Sequence, residues 1–100
     1  MATFAAVLTF IDDIERRLEV RPRHREYLQE LLAAGRLHES GPFADDSGAL
    51  IVYEADDENM ARQLLAVDPY TEAGVIADAS LHEWKILFSG STAEKSPSVP

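Results

Sequence analysis

The chain has no cysteine, and its nine Lys and Arg are outnumbered by eighteen Asp and Glu. Without cysteine there is no disulfide framework, no thiolate zinc site and no thiol nucleophile. That composition fits a reducing compartment, and a cytoplasmic setting is expected. The formal net charge of −9 argues against general nucleic-acid binding, because a duplex is itself densely negative. Glycine is sparse as well. No Gly-rich phosphate loop occurs, so no nucleotide cofactor is expected. No run of residues is long and apolar enough to span a bilayer. Met1 to Ile11 is apolar, but it lacks a basic flank and runs directly into Asp12 and Asp13. It reads as a buried strand and not as a targeting segment.

What is present is one domain's worth of chain, 100 residues, of which 46% are apolar. That share is enough for a packed core and too high for general disorder. Thr3 to Phe10 is a strand rich in apolar residues. Asp12 and Glu15 mark a helix start. Pro22 suits the first turn of a main helix running to about Ala34, with Leu28, Leu31, Leu32 and Tyr27 as its apolar stripe and Gly35 as its stop. The segment is one kinked helix or two short ones. Arg36 to Phe43 and Ala49 to Ala55 read as a hairpin around the Asp45-Asp46-Ser47-Gly48 turn. Asp56 is placed to cap a second helix, with Met60, Leu64 and Val67 facing the core. Pro69 ends that helix near Asp68, and Tyr70 to Gly74 makes one more turn. The last strand is expected from Ile76 to Phe88, with Ile76, Trp84, Ile86 and Phe88 on one face and Ala79, Leu81 and Leu87 on the other. Residues 1–88 are read as the domain. Residues 89–100, small, polar and proline-containing, are read as a disordered tail.

The element order is therefore βαββαβ. It predicts an α+β, ferredoxin-like fold: a four-stranded antiparallel sheet with two helices on one face. The first, third and fourth strands carry apolar residues on both faces, and no element is left to cover the second face. A twofold homodimer packed sheet on sheet is the expected solution.

Five of the nine basic residues, Arg16, Arg17, Arg21, Arg23 and Arg25, fall within ten positions. One reading is a solvated helix face interleaved with Glu15, Glu19 and Glu26. The other is a local positive field that favours a small anion.

Three blocks carry a family resemblance: Arg17-Leu18-Glu19-Val20-Arg21-Pro22-Arg23-His24, then Ser40-Gly41-Pro42, then Asp68-Pro69-Tyr70 running on through Glu72-Ala73-Gly74-Val75 to Ala77-Asp78. In this order and spacing the chain resembles the YciI-like, or YCII-related, family from Ala2 to about Phe88. The resemblance implies the dimeric α/β-barrel form of the ferredoxin-like fold and a pocket holding a His–Asp pair, here His24 and Asp68. It also implies that the Ser-Gly-Pro block lines that pocket. Related dimeric barrels include lactone isomerases, dehalogenating lyases and cofactor-free monooxygenases, so the likeness implies a site and not a substrate. The Ala44–Gly48 loop is shorter here than in some relatives.

In the first turn of the main helix, His24 would meet the positive end of the helix dipole and three arginines, both of which favour a neutral imidazole that acts as a base. Asp68 would fix its tautomer. Taken without the family, His24 reads as a surface or capping residue and Asp68 as a turn residue. Arg21 is placed either to hold a ligand carboxylate or phenolate or to pair with a nearby Glu. Ser40 can donate from a strand end, while Gly41 and Pro42 shape the backbone. Tyr70 is a pocket wall or core. Trp84 packs on the sheet or at a dimer contact. His38 and His82 share no ligand spacing with His24, so no metal site is expected. The reading is a small-molecule enzyme of lyase or isomerase type, without cofactor, acting on a small anionic or hydroxylated ring compound. The alternative is a non-catalytic metabolite-binding or regulatory module.

Overall fold

The computed structural model describes residues 1–90. The expected tail therefore lies, beyond Gly90, outside the described residues. Four strands and three helices follow in the order β1 (Ala2–Phe10), α1 (Ile14–Ala33), β2 (Leu37–Pro42), β3 (Gly48–Ala55), α2 (Glu58–Ala66), α3 (Pro69–Glu72) and β4 (Ile76–Glu83). The strands form one antiparallel sheet in the order β2-β3-β1-β4. This is the expected ferredoxin-like arrangement, with the post-α2 turn appearing as a short helix of its own.

Register fixes which residues share a face. Phe4 lies opposite Tyr53, Ala6 opposite Ile51 and Leu8 opposite Ala49. All six are buried beneath the helices, together with Val20 and Leu31 of α1 and Ala61 of α2. Each large apolar side chain so buried contributes about 1.5–3 kcal/mol. The opposite face pairs Ala5 with Val52 and Val7 with Leu50, an apolar stripe along β1 and β3. On β4 that face carries Asp78, Ser80 and His82, opposite Thr9, Val7 and Ala5. The expectation of a two-faced apolar fourth strand is thus corrected. Ile76 and Leu81 both lie on the helix side, because the register shifts between Thr9 and Phe10. β4 also ends at Glu83, so Ile86 and Phe88 belong to no strand.

Gly48 holds β1 and β3 together. A Cβ built there would lie 1.8 Å from the Leu8 carbonyl oxygen. Only glycine permits this approach.

The first helix is a single element of 20 residues with Pro22 inside it. Proline removes the bond from its nitrogen to the Leu18 carbonyl and disfavours a helix interior by about 3 kcal/mol. The helix continues because its inward stripe does: Val20 and His24, on either side of Pro22, are both buried. Its cap is Asp13, whose side chain accepts from the Arg16 N–H at 3.0 Å, and not Asp12. Likewise α2 is capped by Asp57, accepting from Met60 N–H at 2.9 Å, and not by Asp56. In each Asp-Asp pair the second residue wins. Leu32 and Val67, expected in the core, are exposed. Gly35 closes α1 at φ +76°, with Gly35 N–H bonded to Leu32 and Arg36 N–H to Leu31, the paired ending that glycine favours. Among the described residues, no helix is long and apolar enough to cross a membrane.

Candidate active site

The inward stripe of α1 is not wholly apolar. Arg17, His24 and Leu31 recur at seven-residue spacing, and all three are buried. Position 17 or 24 on an ordinary amphipathic helix would carry Leu or Ile. The two polar residues here define one wall of a pocket of about 580 Å³ between α1 and β2, well within the size range of small-molecule sites.

His24 meets Asp68 across the fold, its Nδ1 standing 2.8 Å from Oδ1 and 3.0 Å from Oδ2. A carboxylate only accepts, so Nδ1 carries the proton and donates it to this bond. Nε2 is left with a lone pair and, among the described residues, no hydrogen-bond partner. Asp68 is fully buried and stands behind the imidazole instead of lining the pocket. The local sequence explains its position. Pro69 holds Asp68 extended, at φ −61° and ψ 132°, and sits at the first position of α3. The Asp68 carboxylate then caps α3 by accepting from the Tyr70 N–H at 2.8 Å. One carboxylate therefore starts a helix and orients the histidine. Gly74, at φ +74°, closes that helix.

Tyr70 stacks on His24, with ring centroids 3.8 Å apart and planes 6° from parallel. Its edge meets Phe10 at 5.6 Å and 78°, and the Arg17 guanidinium lies 4.5 Å over the Phe10 ring. Burial pushes the Tyr70 hydroxyl up from its ordinary value, while Arg17, Arg21 and Arg25 pull it back down. All three arginines line the same pocket as Tyr70.

The pocket brings together the site residues read from the sequence: His24, Arg21, Ser40, Gly41, Pro42 and Tyr70 all line it. Ser40 lies opposite Ile51 and Pro42 opposite Ala49, which places both on the helix side of β2. Among the described residues Arg21 makes no ion pair, nor does Arg25. The glutamates of α1 do not neutralise them; Glu19, for example, pairs with Arg16. One expectation is corrected. His24 is deep inside α1 and not in its first turn, so the helix dipole, which acts within the first turn, does not bear on it. His38 and His82 stand exposed on separate strands. Trp84 is partly exposed beyond the end of β4, its backbone N–H bonded to the Thr3 carbonyl.

Sequence reasoning did not place Arg17, Arg25 or Asp46 in the site, yet all three line the pocket. For Arg17 the signal was available: a charged residue seven positions before His24 and fourteen before Leu31, on a stripe that must face inward.

A model of the YCII-related domain matches residues 2–85 of the chain. An uncharacterized protein of Haemophilus influenzae is 34% identical over 85 residues, covering 75% of this chain and 87% of the relative. Protein YciI of Escherichia coli is 33% identical over 87 residues, covering 77% and 89%. Among solved structures, the 5-chloro-2-hydroxyhydroquinone dehydrochlorinase of Burkholderia phenoliruptrix, in complex with 2,5-dihydroxybenzoquinone, superposes with a TM-score of 0.74. The identity is 24%, over 83% of this chain and 93% of that one. Muconolactone isomerase gives 0.67 at 15% identity, over 87% and 93%. These two structures share the fold.

Proposed function

The chain belongs to the YCII-related family, and from this premise we propose that it is a small-molecule enzyme of lyase or isomerase type. His24 acts as its general base and acid, and Asp68 orients that histidine. The observation that carries the reading is the bond from His24 Nδ1 to a fully buried carboxylate. It leaves Nε2 as the one imidazole nitrogen available at the pocket. A histidine held in one tautomer by a carboxylate is an arrangement for taking a proton from carbon or oxygen and returning it elsewhere.

The substrate class follows from the walls. Arg21 and Arg25 supply unpaired positive charge, and Phe10, Leu28, Leu37 and Tyr70 supply apolar surface. A small ring compound with a carboxylate, phenolate or enolate group meets both requirements. Ser40 donates from β2, and Gly41 and Pro42 shape the wall around it. The dehydrochlorinase and the isomerase that share the fold act on compounds of this general size, which supports the reading. No cofactor is invoked, because proton transfer needs none. The reading includes a cytoplasmic location and a homodimer, with the stripe of Ala5, Val7, Leu50 and Val52 facing a second copy.

The test is a thermal-shift screen of small carboxylates, lactones and hydroxylated aromatics on wild type and His24→Ala, followed by turnover assays on the class that binds. A true ligand raises the melting temperature by mass action. The expected result is a shift in wild type that shrinks in the mutant, and turnover lost in His24→Ala while the fold is kept. Saturable binding without chemical change in wild type would instead establish a binding module.

A further inference from the structure

Arg17 is a charge that α1 has taken out of water. It is 3% exposed, and it is pinned over the Phe10 ring. Its ion partner is Asp46, through Nη2 to Oδ2 at 2.5 Å. Nε, on the same edge of the guanidinium, is buried and, among the described residues, has no hydrogen-bond partner. An arginine holds a carboxylate best through two parallel bonds from one edge. Here that edge is half used.

The two partners differ in how firmly they are held. Arg17 sits on a 20-residue helix, packed against the face of Phe10. Asp46 sits at φ +64° in the turn between β2 and β3, a left-handed conformation that Asp adopts more readily than most residues. Its side chain is 57% exposed. Both residues line the pocket.

Building on the reading of this pocket as an anion site, we propose that Asp46 is a resident counter-ion. In the empty pocket it occupies Arg17, and it yields that place to the acidic group of the incoming ligand. The ligand class is a small planar acid, with a carboxylate or enolate that takes both the Nε and Nη2 bonds. The arrangement is an ion exchange. A buried guanidinium left alone is strongly destabilising, and Asp46 keeps it neutralised until an anion arrives. A neutral isostere cannot displace Asp46, because it would strand the Arg17 charge. The Asp46 carboxylate is therefore a specificity determinant: it weakens all binding somewhat and excludes uncharged ligands from the Arg17 edge.

The experiment is calorimetric titration of the whole chain with salicylate and, as the neutral isostere, salicylamide, at low ionic strength. Asp46→Asn removes the competing charge. Asp46→Gly removes it as well and puts glycine at the positive φ, and circular dichroism with a urea midpoint on each variant identifies those that stay folded with Arg17 unpaired. Both are expected to bind salicylate at least fivefold more tightly than wild type, with a clearly smaller gain for salicylamide, which reaches the freed edge but brings no charge to it. In an Arg17→Met background the Asp46 substitutions should give no gain, since no seat is left to vacate. Equal or weaker salicylate binding by the folded Asp46 variants overturns the proposal. So does a gain that persists without Arg17, which would mark a general field effect, and so does the absence of salicylate binding in every variant. The titration reads binding and not chemistry. Failure of the catalytic reading, seen as binding without turnover, is therefore distinguishable from failure of this one.

Discussion

His24 and Tyr70 lie face to face, 3.8 Å apart and within 6° of parallel, and the same Asp68 carboxylate bonds the ring of one and the backbone of the other. The imidazole is thereby fixed in position by the stack and in tautomer by the carboxylate. Phe10 extends the arrangement, its T-shaped contact with Tyr70 and its face contact with Arg17 linking the imidazole stack to the buried guanidinium.

Asp68→Asn tests the orienting role. The Asn carbonyl can still accept from the Tyr70 N–H, so α3 keeps its cap. An amide can also present its N–H₂ to Nδ1, which then accepts and places the imidazole proton on Nε2. Turnover is expected to fall by about 10⁴-fold, the scale seen when a histidine base is put in the wrong tautomer, with the far-ultraviolet circular dichroism unchanged. ¹⁵N spectra of the imidazole report the tautomer directly. A variant that keeps the Nδ1–H form and full turnover would remove Asp68 from the mechanism.

Asp68→Ala should behave differently. It strips the cap from α3 and leaves His24 Nδ1 buried without a partner. Losses of about 1 kcal/mol for the cap and about 1–3 kcal/mol for the orphaned nitrogen predict a clear drop in the urea midpoint, where Asp68→Asn gives a small one. Equal stability of the two variants would contradict the double use of this carboxylate.

The fold was legible because its signals were of the strong kinds. Alternating apolar residues, an Asp-Ser-Gly turn and glycines just beyond two helix ends each have one physical meaning, and together they leave one topology. One signal left two readings open and another misled. Pro22 allowed one kinked helix or two short ones, and burial of Val20 and His24 on the same face carries α1 through it as one. Adjacent Asp residues at 12–13 and 56–57 are equivalent as caps in sequence, and only packing selects the second. The His24–Asp68 pair was legible through its family blocks. Arg17 and Asp46 were not read as partners because 29 positions separate them and no spacing rule links a helix to a hairpin turn.

Gly48→Ala is expected to be among the more damaging single-methyl changes in this chain. The added carbon would fall 1.8 Å from a backbone oxygen and 2.9 Å from the Leu8 carbonyl carbon. Backbone cannot swing aside as a side chain can, so the two central strands must separate locally. A loss of about 3 kcal/mol, the upper end for overpacking, is expected in urea denaturation. Gly41→Ala, with nothing within 4 Å of the new carbon, is the matched control and should change stability little. Similar midpoints for the two variants would show that β1 and β3 tolerate a wider spacing than Gly48 implies.

Tyr53→Phe should stabilise the protein or leave it unchanged. Tyr53 is fully buried, and among the described residues its hydroxyl has no hydrogen-bond partner. Deleting an unpaired buried hydroxyl returns its desolvation cost, about 1 kcal/mol on the scale of protein mutational data, while the ring stays in the core against Ala6 and Ile51. Measurement is again the urea midpoint. A clear destabilisation would reveal that the hydroxyl is satisfied in solution.

The alkaline limit of stability follows from Tyr27. Its hydroxyl donates to the Leu64 carbonyl at 2.6 Å, tying α1 to α2. Burial, with the charges of Asp68, Glu30 and Glu72 adding to it, pushes its pKa from 10.0 to about 12. The folded state therefore holds this proton over a range in which the unfolded chain has lost it. Where the native state binds more protons, stability falls as pH rises. The contribution of Tyr27 is complete below about pH 10 and is lost as the pH climbs through about 12. Tyr53 and Tyr70, both pushed upward chiefly by burial, add to the decline. Tyr27→Phe removes one share of it. The variant should start lower by about 1 kcal/mol for the lost hydrogen bond and then lose less between pH 9 and pH 11.5 than wild type does. Urea midpoints measured across that range decide the matter: parallel curves for the two proteins would mean that the phenol of Tyr27 titrates alike in the folded and unfolded states.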